Sequence, residues 1–327
     1  MDAAPAWGRT NVPTGRNRQP ARMAELLTRR AALHAGRPVR EVDALVRSGR
    51  WQAVRRGVYW TAPQLPTAPE LRAALLVQAA VLSSGVPSVG SHESAALVHG
   101  LPLFVHYTGD PLLSRLRATG KDRPDARLCA SLVSQVPPEH RCQVHGAEVT
   151  TAARTAVDLA RTRPRLTAVV VLDAALAAGV SRPELLAVLD RQRGWPGVAY
   201  ARQRLAFADG RAESPLESIG RLRFAQLELP APDLQVVLGG QWSVTGRVDF
   251  LWRAQRTVGE ADGRVKYGGP EDDGTGNRLF EEKRREDAIR DDGFEVFRFT
   301  WDEAVHRPEL LRDRALRAFA RGARHRP

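Results

Sequence analysis

The sequence predicts a mixed α/β protein, α+β overall, built from helical and strand-rich blocks in succession. Three observations lead to this class. At 327 residues the chain exceeds the reach of one typical core, so two or three domains are expected. Apolar residues recur at helical spacing through much of the middle of the chain. Toward the C-terminus they instead alternate with polar ones, above all in G-R-V-D-F-L-W-R-A-Q-R-T-V-G-E-A-D at 246–262, which reads as a hairpin.

Taken in order, residues 1–20 mix Pro, Gly, Asn and Arg without periodicity and are expected to be a disordered tail. Residues 22–35 predict a helix with Met23, Leu26, Leu27 and Ala31 along its core stripe and Gly36 as its stop. A second helix is expected over 39–48, with Val42, Leu45 and Val46 apolar and Gly49 ending it. W-Q-A-V-R-R-G-V-Y-W at 51–60 alternates around a glycine bend and reads as a small β-wing. Helix, turn, helix and wing make a winged helix-turn-helix plan over 21–62. Arg37, Arg40, Arg47, Arg50, Arg55 and Arg56 would line its second helix and wing as nucleic-acid-binding residues. The same arginines could instead be a solvated face of a module that only contacts protein.

A proline-rich linker follows at 62–68, then a middle region over 69–209. It opens with an apolar helix at 69–83 and a short helix in S-H-E-S-A-A-L-V-H-G-L-P-L, 91–103. His92 and His99 stand seven apart, so the H-E-x-x-H spacing of a metalloprotease is not met. Strands are expected at 128–134, 142–144 and 147–149, with His140 and His145 at the surface. Four helices follow, at 151–163, 165–178, from the Ser181/Glu184 capping box, and at 197–207. No catalytic constellation stands out among them, and connecting and positioning is their expected role.

The last domain, 210–327, opens with A-E-S-P-L-E-S. Ser214 is the expected N-cap, Pro215 the first-turn proline and Glu217 the capping-box glutamate, which leaves a structural and a functional reading of Glu217 both open. Glu213, just outside the helix, is the alternative acid. A helix at 215–228, a strand at 234–238, the Gly239-Gly240 bend and the hairpin come next. They are followed by a loop at 267–277, a helix at 279–292, a strand at 294–299 and a helix at 308–323.

Within the hairpin, Val248, Phe250 and Trp252 share one face, and Arg247 and Asp249 the other. With the turn centred between Ala254 and Gln255, Asp249 falls opposite Glu260, and Asp262 projects from the same face. Like charges facing across a ladder cost up to ~1 kcal/mol. Three carboxylates on one face therefore call for a counter-charge. Oxygen-only ligands suit Mg²⁺ or Mn²⁺, so Asp249, Glu260 and Asp262 are the candidate metal ligands. The plainer alternative is a solvated strand face paired with Arg247, Arg264 or Lys266.

The formal charge of +12 favours polyanionic partners, and it is concentrated at the front, where residues 1–60 carry twelve Arg against four acids. Cys129 and Cys142 form no CxxC pair, which argues against a zinc site or a disulfide framework. No apolar leader opens the chain, and the longest apolar run, 168–180, is interrupted by Asp173 and too short for a bilayer. A cytoplasmic protein without a membrane partner is expected.

L-V-R-S-G-R-W-Q-A-V-R-R-G-V-Y at 45–59 resembles the N-terminal region of abortive-infection type IV antitoxins and related regulators, and 91–103 resembles their middle region. That resemblance implies DNA binding, with a toxin or operon partner protein. R-V-D-F-L-W, G-E-A-D-G-R-V-K-Y, E-K-R-R-E-D and V-F-R-F-T-W resemble a very-short-patch-repair-endonuclease-like family of PD-(D/E)XK proteins. This second resemblance covers about 110 residues of the sequence. It implies a restriction-endonuclease-like αβββαβα core, in which a strand Asp and a following Glu hold Mg²⁺ and a nearby Lys assists. Asp249 and Glu260 match the two acids. Asp262 occupies the usual Lys position, and Lys266 and Lys283 are the available substitutes. Asp249, Glu260, Asp262, Lys266, Lys283 and Glu217 are thus the candidate catalytic residues. The expected function is a metal-dependent DNA endonuclease of the restriction and very-short-patch-repair-like class. The alternatives are an antitoxin-like transcriptional regulator whose nuclease-like domain is catalytically inactive and, less directly, an RNA-processing nuclease.

Overall fold

The computed structural model describes residues 26–104, 107, 109–116, 131–133, 136–240, 243–262 and 275–325. The expected tail, Arg264, Lys266 and most of the expected 267–277 loop lie outside them. The described residues form two compact units, one ending at Ala208 and the other beginning at Asp209.

The first unit opens with β1 (Leu26–Thr28), α1 (Arg29–His34), α2 (Val39–Arg47), β2 (Gln52–Arg55) and β3 (Val58–Trp60). Residues 22–25 of the helix expected over 22–35 lie outside the described residues, and from Leu26 onward the helix begins at Arg29. Leu26 to Thr28 pair antiparallel with Trp60 to Val58 instead, and the Thr28 hydroxyl then caps α1 by accepting from Ala31 N at 3.0 Å. The resulting sheet has the order β1-β3-β2, closed over Ala32, Val42, Trp51 and Tyr59.

The same unit continues with α3 (Pro69–Ser84), β4 (Ser88–Gly90), α4 (His92–Val98), β5 (Leu113–Arg115), β6 (Ser131–Val133), β7 (Arg141–Val144) and β8 (Ala147–Thr150). Its five-stranded sheet runs β6-β5-β4-β8-β7, and α3 and α4 pack on it through Ala74, Val77, Ala95 and Val98. Helices α5 (Ala152–Thr162), α6 (Arg165–Ala177), α7 (Arg182–Arg191) and α8 (Val198–Phe207) complete the unit. The Ser181/Glu184 capping box forms in full.

The second unit comprises α9 (Pro215–Gln226), β9 (Asp233–Gly240), β10 (Ser243–Trp252), β11 (Thr257–Asp262), α10 (Thr275–Asp291), β12 (Glu295–Thr300), α11 (Trp301–Val305) and α12 (Pro308–Gly322). Its sheet has the order β12-β11-β10-β9, with β11 and β12 parallel and the other pairs antiparallel. On one face Phe224 of α9 sits among Phe250, Trp252 and Phe299 with ring centroids 5.0–5.5 Å away, and Phe319 of α12 joins at Trp252. On the other, Leu251, Val258 and Val296, side by side across three strands, pack with Ile289 of α10.

Gly220 lets α9 lie close on this sheet. A Cβ there would fall 2.5 Å from Phe299 Cζ and 2.9 Å from its Cε2. Gly220→Ala is therefore expected to destabilise the second unit by about 1–3 kcal/mol through overpacking. A lower denaturation midpoint at unchanged slope would show it, and an unshifted midpoint would refute the close contact.

Candidate functional site

The hairpin forms in the expected register. Phe250 pairs with Gly259 and Trp252 with Thr257, so Asp249 falls opposite Glu260. At that level the ladder changes character. The amide of Ala261 donates to the Asp249 carboxylate, to Oδ2 at 2.9 Å. The Asp249 side chain thereby serves as an acceptor for the neighbouring strand.

Glu217 approaches from the first turn of α9. The Ser214 hydroxyl accepts from Glu217 N at 3.1 Å, as an N-cap should. The Glu217 side chain does not complete the expected capping box at the Ser214 amide. Its Oε2 accepts from Glu213 N at 2.8 Å, one residue further out, and from Gln235 Nε2 at 2.7 Å. The same Gln235 nitrogen lies 3.4 Å from Asp249 Oδ1. One amide thus bridges two acids from α9 and β10. Gln235 holds φ at +53°, a left-handed conformation costly for a non-glycine residue inside a strand.

Burial, with Asp249 alongside, raises the Glu217 carboxyl from 4.5 to about 7. Burial also raises Asp249, against the opposing hydrogen bonds from Ala261 N and Gln235. The sign for stability follows from the proton count. The folded state holds its Glu217 proton more tightly than the unfolded chain does. Stability is therefore gained as pH falls from about 7 toward 4.5 and lost as it rises through that window. In chelator, the slope from this group is expected to reach at most about 1.4 kcal/mol per pH unit. Glu217→Gln should flatten it, and an unchanged slope in urea titrations at several pH values would contradict the assignment.

Glu260 is differently placed. Its carboxylate is ion-paired with Arg285 of α10 and, at 3.3 Å, with Arg298 of β12, its neighbour across the parallel ladder. Arg298 also reaches Glu286 at 3.0 Å. Asp262, half-buried at the end of β11, lies beside Thr300. Lys283 is exposed on α10, and Arg285, two residues on, is the cation that meets β11. Arg247 pairs with Glu213. Among the described residues no three His, Cys, Asp or Glu side chains form a group that could hold a metal ion.

No protein-family model matches the sequence. Two curated proteins of Mycobacterium tuberculosis do. Uncharacterized protein MT2308 of strain CDC 1551 / Oshkosh is 31% identical over 279 residues, spanning 85% of this chain and 95% of the mycobacterial one. Uncharacterized protein Rv2248 of strain ATCC 25618 / H37Rv gives the same figures. The chain belongs to their family. The match spans most of both chains, so it describes this family member as a whole rather than one module of it.

In this family member the front arginines divide. Arg40, Arg47, Arg50 and Arg56 are exposed, and so is Arg37, which pairs with Glu41 and lies over the Trp51 ring at 5.4 Å. Arg55 departs from the expectation of a contact surface. It is largely withdrawn and pairs with Asp110 at 3.4 Å. Arg29, unremarked in the sequence, pairs with Asp43 at 2.8 Å beside a cavity of about 440 Å³ that Arg40, Arg47 and Tyr59 also line. His140 is buried rather than at the surface, its Nδ1 accepting from Arg154 at 3.2 Å. Among the described residues no helix is long and apolar enough to cross a membrane.

Sequence reasoning missed Gln235, Arg285 and Arg298. The only signal for Gln235 was a lone amide in the apolar run L-Q-V-V-L.

Proposed function

We propose that this protein is a metal-dependent DNA endonuclease of the restriction and very-short-patch-repair-like class. The observation that carries the reading is the bridged pair of buried acids, Glu217 and Asp249, joined by Gln235. It lies in a unit whose order of helix, three strands, helix and strand supports the nuclease-like core. Two carboxyls raised above their usual range at one spot fit a hard divalent cation, which offsets the repulsion between them. Asp249 and Glu217 would hold Mg²⁺ or Mn²⁺, with water and phosphate oxygens completing its shell. Such an ion polarises a scissile phosphate and lowers the pKa of the attacking water. Gln235 orients the two acids through its amide. Arg285 and Arg298 offer guanidinium forks beside Glu260 suited to phosphate oxygens. The exposed arginines of α2 and the wing would add sequence-independent affinity for the DNA backbone.

One observation favours a second reading, an antitoxin-like DNA-binding regulator with an inactive nuclease-like domain. Glu260 is already neutralised by two arginines, and Asp262 stands where a lysine would assist. Supercoiled plasmid separates the two readings. The endonuclease should convert it to nicked form with Mn²⁺ or Mg²⁺ and leave it intact in EDTA. Retarded but uncut plasmid under both metals would refute hydrolysis and support the regulator.

A further inference from the structure

A cavity of about 560 Å³ in the first unit is lined by Arg141, Arg154, Arg191, His140, Gln192 and Trp195, among others. Its volume lies within the ordinary range of small-molecule sites. Its floor is polar and deeply buried, with Arg154 and Gln192 each 1% exposed and His140 at 7%. Three guanidinium groups on one cavity are costly unless anions answer them. Asp158 is shared by Arg154 and by Arg161 behind it, while Arg141 and Arg191 reach Glu148 and Glu139 at 3.6 and 3.0 Å.

A second observation concerns Gln192. Its Nε2 donates to Asp158 Oδ1 at 2.8 Å, while its buried Oε1 has no hydrogen-bond partner. A buried acceptor without a donor is costly, and a donor arriving with a ligand would satisfy it.

We propose that this cavity binds a small phosphomonoester that carries its own N–H or O–H donors. A tetrahedral dianion presents three oxygens and can answer more than one guanidinium fork, whereas a planar carboxylate engages one. The ester's own donors then meet Gln192 Oε1. Arg191, exposed at the mouth and paired with Glu139 at 3.0 Å, can turn to the phosphate without disturbing the floor. This site belongs to the first unit and needs no metal, so it stands apart from the nuclease reading.

Calorimetric titration of the full chain in EDTA tests it, using guanosine 5′-monophosphate, ribose 5-phosphate, inorganic phosphate and succinate. At least one of the two esters should bind one-to-one and at least tenfold more tightly than succinate. A preference for the nucleotide would assign the donor to the base, and equal binding would assign it to the sugar. Arg191→Ala and Arg141→Ala should each weaken that ester at least tenfold. Gln192→Leu should bring it down to the level of inorganic phosphate. Arg202→Ala, whose partner is Asp190, should leave binding unchanged. The absence of saturable heat from both esters would overturn the proposal. So would binding that survives Arg191→Ala and Arg141→Ala alike, because the phosphate would then be held elsewhere, for example among the α2 arginines.

Discussion

Asp249→Asn is expected to lower Mn²⁺-dependent plasmid nicking by more than about 100-fold, beyond the 10–100-fold typical of groups that only orient a metal ligand. Asparagine keeps the shape of the side chain, and its oxygen can still accept from Ala261 N, so the strand junction survives. What disappears is the negative charge. Gln235→Leu makes the instructive comparison. It removes the bridge between Glu217 and Asp249 but neither acid, so its loss should fall within about 10–100-fold. The ranking is the test. Equal and full activity in both variants would place any hydrolytic site elsewhere, and a larger loss for Gln235→Leu than for Asp249→Asn would make the bridge more than a support.

Asp158→Ala is expected to destabilise the first unit by about 3–5 kcal/mol, the usual consequence of removing one partner from a buried ion pair. Asp158 is 1% exposed and receives Arg154 at 2.6 Å, Gln192 at 2.8 Å and Arg161 at 3.4 Å. Alanine there removes the carboxylate that these three donors share. Amide hydrogen exchange along α5 isolates the effect from the second unit, and protection lost there but kept in β10 and β11 is the expected pattern. A variant with undiminished α5 protection would mean that these donors find other acceptors cheaply.

The parts of the fold that the sequence disclosed are those with long, clean periodicity. The hairpin register was legible because alternation over Arg247 to Trp252 and a polar turn leave one way to fold back. Helices α3, α5 and α6 were legible from extended apolar spacing. The three-residue strands β4 and β5 were not, since three residues cannot display a period of two. β1 was misread because Leu26 and Leu27 fit a helical stripe equally well, and only the free edge of β3, distant in sequence, decides between the two. The same limit governs the site. Asp249 and Glu217 drew notice as acids next to recognisable local signals. The arginines that occupy Glu260 come from a later helix and strand, and Gln235 matters through a backbone angle that no pattern of letters encodes.

The position of β11 has one more consequence. With β10 on one side and β12 on the other, Thr257 to Gly259 are laddered along both edges, whereas among the described residues β9 and β12 are each paired along one edge. These amides should be among the slowest in the second unit to trade hydrogen for deuterium. Glu260 follows directly on this doubly paired stretch, while its two guanidinium partners sit at the ends of long side chains. A change of counter-ion at Glu260 therefore calls only for those side chains to swing away, and the strand beneath can stay still.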